Sequence, residues 1–127
     1  MVHCGMRVIP RKVHGLLDYV VGLLLIVAPY LFNFSDVAPA RIVAMAVGAA
    51  AIVYSLLTAY EMGAIKVIPF QTHLWLDLAS GVVLAASPWL FGFADQIRWP
   101  HVTVGLLEIG AALMTRTDAS ARPTARA

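Results

Sequence analysis

One pattern occurs twice in this chain: residues 14–36 read HGLLDYVVGLLLIVAPYLFNFSD, and residues 73–95 read HLWLDLASGVVLAASPWLFGFAD. The shared histidine, aspartates, glycine, proline and phenylalanines keep a constant offset of 59, from position 14 to 73 at one end and from 36 to 95 at the other. Self-similarity at one fixed period indicates a duplicated structural unit. The repeat therefore predicts an architecture, while it identifies neither a reaction nor a ligand.

The composition predicts a protein whose solvent is lipid. The chain has 127 residues, of which 61% are hydrophobic and 13% are charged. A soluble domain is nearer half apolar and a quarter charged. The basic residues lie at chain ends and in loops rather than in a stripe with aromatics, which argues against a nucleic-acid partner. The single cysteine, Cys4, excludes an intramolecular disulfide and a CxxC motif.

Four apolar stretches approach the roughly 20 residues that a membrane-spanning helix needs: 13–34, 40–60, 71–93 and 99–115. The first is read as a retained span, because it exceeds a signal-peptide core and its twin lies in mid-chain. Gly48 and Thr58 in the second match Gly105 and Thr115 in the fourth at an offset of 57. The predicted organisation is a cytoplasmic N-terminus (1–12), repeat 1 (13–60), a cytoplasmic loop (61–70), repeat 2 (71–116) and a disordered cytoplasmic tail (117–127).

The placement of lysine and arginine predicts the orientation. One side of the four spans holds Arg7, Arg11, Lys12, Lys66, Arg116, Arg122 and Arg126, and the other holds only Arg41 and Arg98. The positive-inside rule then places both termini in the cytoplasm. Both two-helix units enter the membrane in the same direction. We therefore predict an all-α membrane protein of four transmembrane helices, built as two parallel-repeat hairpins about a pseudo-two-fold axis along the membrane normal.

Each repeat carries a His-x-x-x-Asp pair, His14 with Asp18 and His73 with Asp77. This spacing places both side chains of a pair on one helix face, and charged groups at such depth normally face the protein interior. The pseudo-two-fold axis can bring the two pairs together as a metal site or a proton-binding cluster. The competing interpretation is that each His and Asp satisfies the other, or bonds neighbouring backbone between helices.

Glu108 breaks the repeat, because Ala51 occupies the matching position in the second helix. It lies near the middle of the fourth helix, between Leu107 and Ile109. One interpretation is a group that carries protons or contacts a substrate. The other is a neutral acid bonded to a hydroxyl or a backbone carbonyl. His101, near the outer end of the same helix, is predicted to be interfacial.

The tripeptide Ser87-Pro88-Trp89 resembles the motif of the SPW-repeat family, small bacterial and archaeal membrane proteins whose unit is a pair of transmembrane helices. The resemblance covers about residues 8–115 and corresponds to the two-copy form, although the first copy reads Ala28-Pro29-Tyr30. It implies the fold and a location in the cytoplasmic membrane of a prokaryote, but no reaction or catalytic residue. The residues Pro29, Tyr30, Ser87, Pro88 and Trp89 are predicted to end helices and anchor them at the interface. A lipid or quinone headgroup pocket beneath Trp89 is the alternative.

Three functions fit these features. The first is a non-enzymatic structural or accessory membrane protein that associates with itself or with a larger complex, since the chain has no nucleophile–base–oxyanion set. The second is a proton or ion transporter or channel component that uses Asp18, Asp77 and Glu108, and it requires oligomers because four helices leave little room for a pore. The third is a membrane enzyme or metal-binding protein built on the His/Asp pairs, or a lipid/quinone-binding membrane protein. The lipid bilayer is the expected partner, and no cofactor is assigned.

Overall fold

The described part of the chain is all-α. The computed structural model describes residues 8–115, which form α1 (Arg11–Leu31), α2 (Ala38–Leu56), α3 (Phe70–Leu90) and α4 (Trp99–Met114). Within this range no strand forms, and the only β-type pairings are the isolated bridges Ile9–Thr115 and Thr58–Ile68. The predicted all-α class is confirmed. The predictions for Cys4 and for the tail 117–127 concern residues outside this range.

Prolines mark where the helices begin. Pro10 and Pro69 are extended residues directly before α1 and α3, with ψ of 152° and 146°. Pro39 and Pro100 lie in the first turns of α2 and α4. A proline costs little at these positions, because the N–H groups of the first turn have no helical acceptor.

The first and third helices end three residues before the predicted boundaries at Phe34 and Phe93. Asn33 and Gly92 have left-handed φ values of 60° and 75°. A helix cannot continue through this conformation. The chain turns back instead, and both phenylalanine rings become buried in the core.

Helix α2 also ends before its predicted boundary at Tyr60, for a different reason. Past Leu56 the chain pairs with the segment that leads into α3, and the Ala59 N–H donates to the Ile68 carbonyl at 2.7 Å. This pairing holds Thr58 and Tyr60 beside α3, and both are buried.

Each pair of consecutive helices packs through glycines. An added Cβ on Gly48 would lie 2.6 Å from the Gly22 carbonyl oxygen, and one on Gly105 would lie 2.7 Å from that of Gly81. Real Cβ atoms do not approach so closely, so α1 contacts α2, and α3 contacts α4, backbone to backbone. This matches the close packing expected of small residues in membrane helices.

The two hairpins contact each other closely on one side and only slightly on the other. Helices α2 and α3 pack against each other, whereas α1 and α4 scarcely touch. The main core lies towards the turns that follow α1 and α3, and its buried members are Leu25, Ala28, Phe34, Ala40, Ala44, Leu84, Phe93 and Val104. A gap between α1 and α4 is thus left in the half of the molecule that carries the histidine–aspartate pairs.

The outer surface of the described chain is rich in large apolar side chains, as a lipid-facing protein requires. By length and composition, α1 and α2 are able to cross a membrane. Helix α4 has only 16 residues, and α3 carries Gln71, Thr72, His73 and Asp77 near its start. Two of the four predicted spans are therefore supported by the helices themselves.

Candidate functional site

The two His–Asp pairs come together in one cluster. His14 and Asp18 lie one turn apart on α1, and His73 and Asp77 lie one turn apart on α3. One ligand atom from each of the four lies within 4.8 Å of every other. Both histidines and Asp77 are buried, and Asp18 is partly exposed. We call these four residues the His/Asp cluster.

The contacts between the helices are shorter than those within them. His14 Nε2 lies 2.5 Å from Asp77 Oδ2, and His73 Nε2 lies 2.8 Å from Asp18 Oδ2. The contacts one turn apart, from each Nε2 to the aspartate of its own helix, are both 3.2 Å. Each histidine thus pairs first with the aspartate of the other repeat. Spacing along the sequence indicated only the longer of the two contacts.

A threonine fixes the far side of each imidazole ring. Thr115 Oγ1 lies 2.7 Å from His14 Nδ1, and Thr58 Oγ1 lies 2.8 Å from His73 Nδ1. Each hydroxyl also donates its own hydrogen to a helix carbonyl one turn earlier, Thr115 to Ala111 and Thr58 to Tyr54, both at 2.6 Å. The hydroxyl hydrogen is thereby used, so each Oγ1 accepts from Nδ1–H. This assigns the Nδ1 hydrogen and turns Nε2 towards the carboxylates.

Two tyrosines complete the surroundings of the carboxylates. The Tyr54 hydroxyl donates to Asp77 Oδ1 at 2.6 Å, and the Tyr60 hydroxyl donates to Asp18 Oδ2 at 3.0 Å. Burial raises the pKa of the Tyr60 phenol above its ordinary value, and the neighbouring charge of Asp18 acts in the same direction. The phenol therefore stays protonated and remains a donor.

Glu108 is connected to the cluster through hydroxyl groups. Ser80 Oγ donates to Glu108 Oε1 at 3.0 Å. The Ser80 oxygen also lies 3.3 Å from the Tyr54 hydroxyl. The sequence left open a hydroxyl or a carbonyl as the partner of this acid. In the structure the partner is a hydroxyl, on the neighbouring helix α3.

The gap between α1 and α4 contains a cavity of about 340 Å³. His14, Asp18, Asp77 and Glu108 line it together with aliphatic side chains. The volume falls within the range of small-molecule pockets, which begins at about 300 Å³. The cavity therefore gives the His/Asp cluster one face that is not covered by packed helices.

The predicted anchor residues lie at the opposite end of the helices. Tyr30 and Trp89 are 63% and 60% exposed, whereas Pro29, Pro88 and Ser87 are buried. The serine hydroxyl donates to the Leu84 carbonyl at 2.7 Å, which is a contact within helix α3.

His101, which was predicted to be interfacial, has a buried side chain in the structure. The ring is buried between Phe34 and Phe93, at 5.2 and 4.8 Å between centroids, and its Nε2–H donates to the Ala40 carbonyl at 2.9 Å. The two phenylalanine turns fold inward and cover it.

Sequence reasoning missed four residues of the site: Thr58, Thr115, Tyr54 and Tyr60. The threonines carried a signal, because they recur at the offset of 57 that relates the second and fourth helices. The tyrosines carried no such signal, because neither of them recurs at the matching position of the second repeat.

The comparisons with known proteins agree with the tripeptide motif. The family model described as SPW repeat domain matches residues 12–115, most of the chain and all four helices except the first residue of α1. No curated protein and no solved structure is significantly similar to the chain. The match extends over both copies of the His–Asp pattern, and the chain belongs to the SPW repeat family.

Proposed function

We propose that this chain is a multi-pass membrane protein that binds one divalent transition-metal ion in the His/Asp cluster. The observation that carries the proposal is the arrangement of both Nε2 atoms against both carboxylates, with each Nδ1 bonded to a threonine. Metal-binding histidines typically donate their other ring N–H in this way, which fixes the tautomer and the orientation of the ring.

The arrangement calls for positive charge at its centre. With its hydrogen on Nδ1, a neutral imidazole presents the Nε2 lone pair to the carboxylate oxygens. The lone pair and the negatively charged oxygens repel each other. A second proton on each ring or one metal ion removes this repulsion. A single divalent ion balances the two carboxylates and leaves both rings neutral.

The ligand set favours zinc or a chemically similar ion. Two imidazole nitrogens and two carboxylate oxygens suit Zn²⁺, Fe²⁺ or Mn²⁺, whereas sites selective for Cu⁺ use sulfur ligands. Ligands about 2.0–2.2 Å from a tetrahedral zinc ion lie about 3.3–3.6 Å from each other. The nitrogen–oxygen contacts of 2.5–3.2 Å are shorter. The side chains would have to move apart by up to about 1 Å to accommodate an ion.

In the proposed topology all four helices cross the membrane as two parallel hairpins about a pseudo-two-fold axis, with both termini in the cytoplasm. The exposed apolar surface and the family support membrane insertion. The distribution of lysine and arginine supports the orientation. The metal would then lie near the cytoplasmic ends of α1 and α3.

The test is the metal content of protein purified without chelator, measured by inductively coupled plasma mass spectrometry. We expect about one equivalent of metal per chain, and its loss in the double variant His14→Ala/His73→Ala. The variant His101→Gln is the control, because it alters a buried histidine outside the cluster. Replacement by Co²⁺ should give the visible absorption of a tetrahedral site. Protein that is metal-free and does not bind added Zn²⁺ or Co²⁺ would overturn the proposal.

A structural or accessory role, acting through helix association with itself or with a larger complex, is the second candidate. It is favoured because every imidazole nitrogen of the cluster already has a polar partner within the chain. In that case two protonated histidines and two carboxylates fasten the hairpins together. Metal-free protein that still loses its fold in the double histidine variant would support this role.

Proton or ion transport remains an alternative on one observation, the hydroxyl connection from Glu108 through Ser80 and Tyr54 to the cluster. It predicts that Glu108→Gln abolishes a flux across proteoliposomes while the protein remains folded. The structural role predicts that no flux depends on this residue.

A further inference from the structure

One of the differences between the two repeats lies directly beside the His/Asp cluster. Thr58 donates to the Tyr54 carbonyl and accepts from His73, and Thr115 donates to the Ala111 carbonyl and accepts from His14. Tyr54 and Ala111 are therefore matched in geometry as well as in the sequence offset of 57. One hairpin has a phenol where the other has a methyl group.

Tyr54 shows what this position accommodates. Its ring stands edge-on to His73, with 5.1 Å between centroids and 76° between planes. Its hydroxyl donates to Asp77 Oδ1 at 2.6 Å. An aromatic ring bearing a hydroxyl thus fits against a histidine and an aspartate of the cluster.

On the other side the corresponding space is the cavity between α1 and α4. Ala111 lines it, and so do His14 and Asp18, the counterparts of His73 and Asp77. The cavity is large enough for a small ring with a substituent. Its walls Leu17, Leu106, Leu107 and Met114 are also exposed on the outer surface of the described chain, so the cavity can be reached from the lipid.

We propose that this cavity binds a lipid-soluble phenol or quinol, with its ring against Ala111 and its hydroxyl donating to Asp18. The apolar substituent then leaves between α1 and α4 towards the bilayer. Asp18, Asp77 and Glu108 line the cavity and supply hydrogen-bond acceptors, so a ligand with a hydroxyl donor is favoured, while a hydrocarbon leaves the acceptors unused.

Binding is measured with 4-pentylphenol, using pentylbenzene as the matched ligand without a hydroxyl. The protein is placed in phosphatidylcholine nanodiscs with ¹³C-methyl-labelled methionine. Met114 lines the cavity and Met45 does not. We expect a saturable shift of the Met114 methyl resonance with 4-pentylphenol, no shift at Met45, and at least tenfold weaker binding of pentylbenzene. Equal binding of the two ligands would mean that the cavity accepts any apolar chain, and the proposal would fail.

Two variants test the location. Ala111→Tyr supplies the missing phenol from the protein itself and should weaken 4-pentylphenol binding at least tenfold. Ala49→Tyr, on the exposed surface of α2, is the control and should bind as the parent does. If Ala111→Tyr does not fold, Gly110→Leu takes its place, since a Cβ on Gly110 meets no atom within 4 Å. Unchanged binding in the folded variant would overturn the proposal.

The proposal is independent of the metal. Titrations with and without bound Zn²⁺ separate the two, because a protein that binds no metal can still bind the phenol, and the reverse also holds.

Discussion

His14 Nε2 lies 2.5 Å from Asp77 Oδ2, so this histidine is closer to an aspartate 63 positions away than to Asp18, one turn along its own helix at 3.2 Å. The principal contact of each histidine therefore joins the two hairpins.

The first prediction concerns this crossed pairing. In double-mutant cycles, we expect a coupling free energy between His14 and Asp77 of about 1–3 kcal/mol. The coupling between His14 and Asp18 should be smaller, because their contact is longer. The measurement is equilibrium unfolding in mixed detergent–SDS micelles, followed by tryptophan fluorescence.

In metal-free protein, where a second proton on each ring takes the place of the ion, the single variant Asp77→Asn should destabilise the protein by about 3–5 kcal/mol, the usual cost of breaking a buried ion pair. Asp36→Asn is the control, because Asp36 is exposed. Equal couplings of His14 to both aspartates would contradict the crossed arrangement.

The second prediction concerns the threonines that accept from the histidines. Thr115→Val and Thr58→Val keep the shape of the side chain but remove the acceptor of the Nδ1 hydrogen. Each should lower the affinity for Zn²⁺ by about 10–100-fold and destabilise the protein by about 1–3 kcal/mol.

Competition with a chromophoric chelator measures the affinity. Thr103→Val is the control, since Thr103 is exposed on α4. An affinity that falls equally in the control would show that the loss does not depend on the histidine hydrogen bond.

The third prediction concerns the glycine contact between α3 and α4. Gly105→Ala places a Cβ 2.6 Å from the Ala85 backbone nitrogen and 2.7 Å from the Gly81 carbonyl oxygen. The helices must separate, and we expect a loss of about 1–3 kcal/mol in the free energy of unfolding. Gly110→Ala is a matched control five residues along the same helix, and it should be neutral or stabilise by up to about 1 kcal/mol.

The fourth prediction concerns topology. In a background without Cys4, Lys66→Cys should react with an impermeant maleimide only from the cytoplasmic side of spheroplasts or inverted vesicles. Gln96→Cys should react only from the opposite side. Both positions are exposed in the structure. Reaction of the two positions from the same side would exclude the proposed arrangement of α3 within the membrane.

The repeat predicted much of the architecture because equal sequences form equal local structure. The four helices follow from apolar patterns that are local in the chain. The helix ends were harder to predict. The left-handed conformation of Asn33 and the loop pairing of Ala59 depend on contacts that the hydrophobic pattern does not indicate.

The four residues of the His/Asp cluster and Glu108 were predicted as candidates, but their partners on other helices were not. The spacing of four placed His14 and Asp18 on one face, but it cannot indicate which residues of another helix lie opposite. Thr115 is 101 positions from His14, and that contact depends on how the two hairpins dock. The burial of His101 could not be predicted for the same reason, since it depends on two turns that fold over it.

The crossed pairing has a consequence for shorter relatives of this chain. One hairpin supplies a single histidine, a single aspartate and a threonine that bonds the histidine of the other hairpin. Neither half can assemble the four-residue centre alone. A one-copy protein with the same pattern would build it only as a homodimer, whereas this chain holds both halves in one molecule and replaces an encounter between two molecules with a permanent internal pairing.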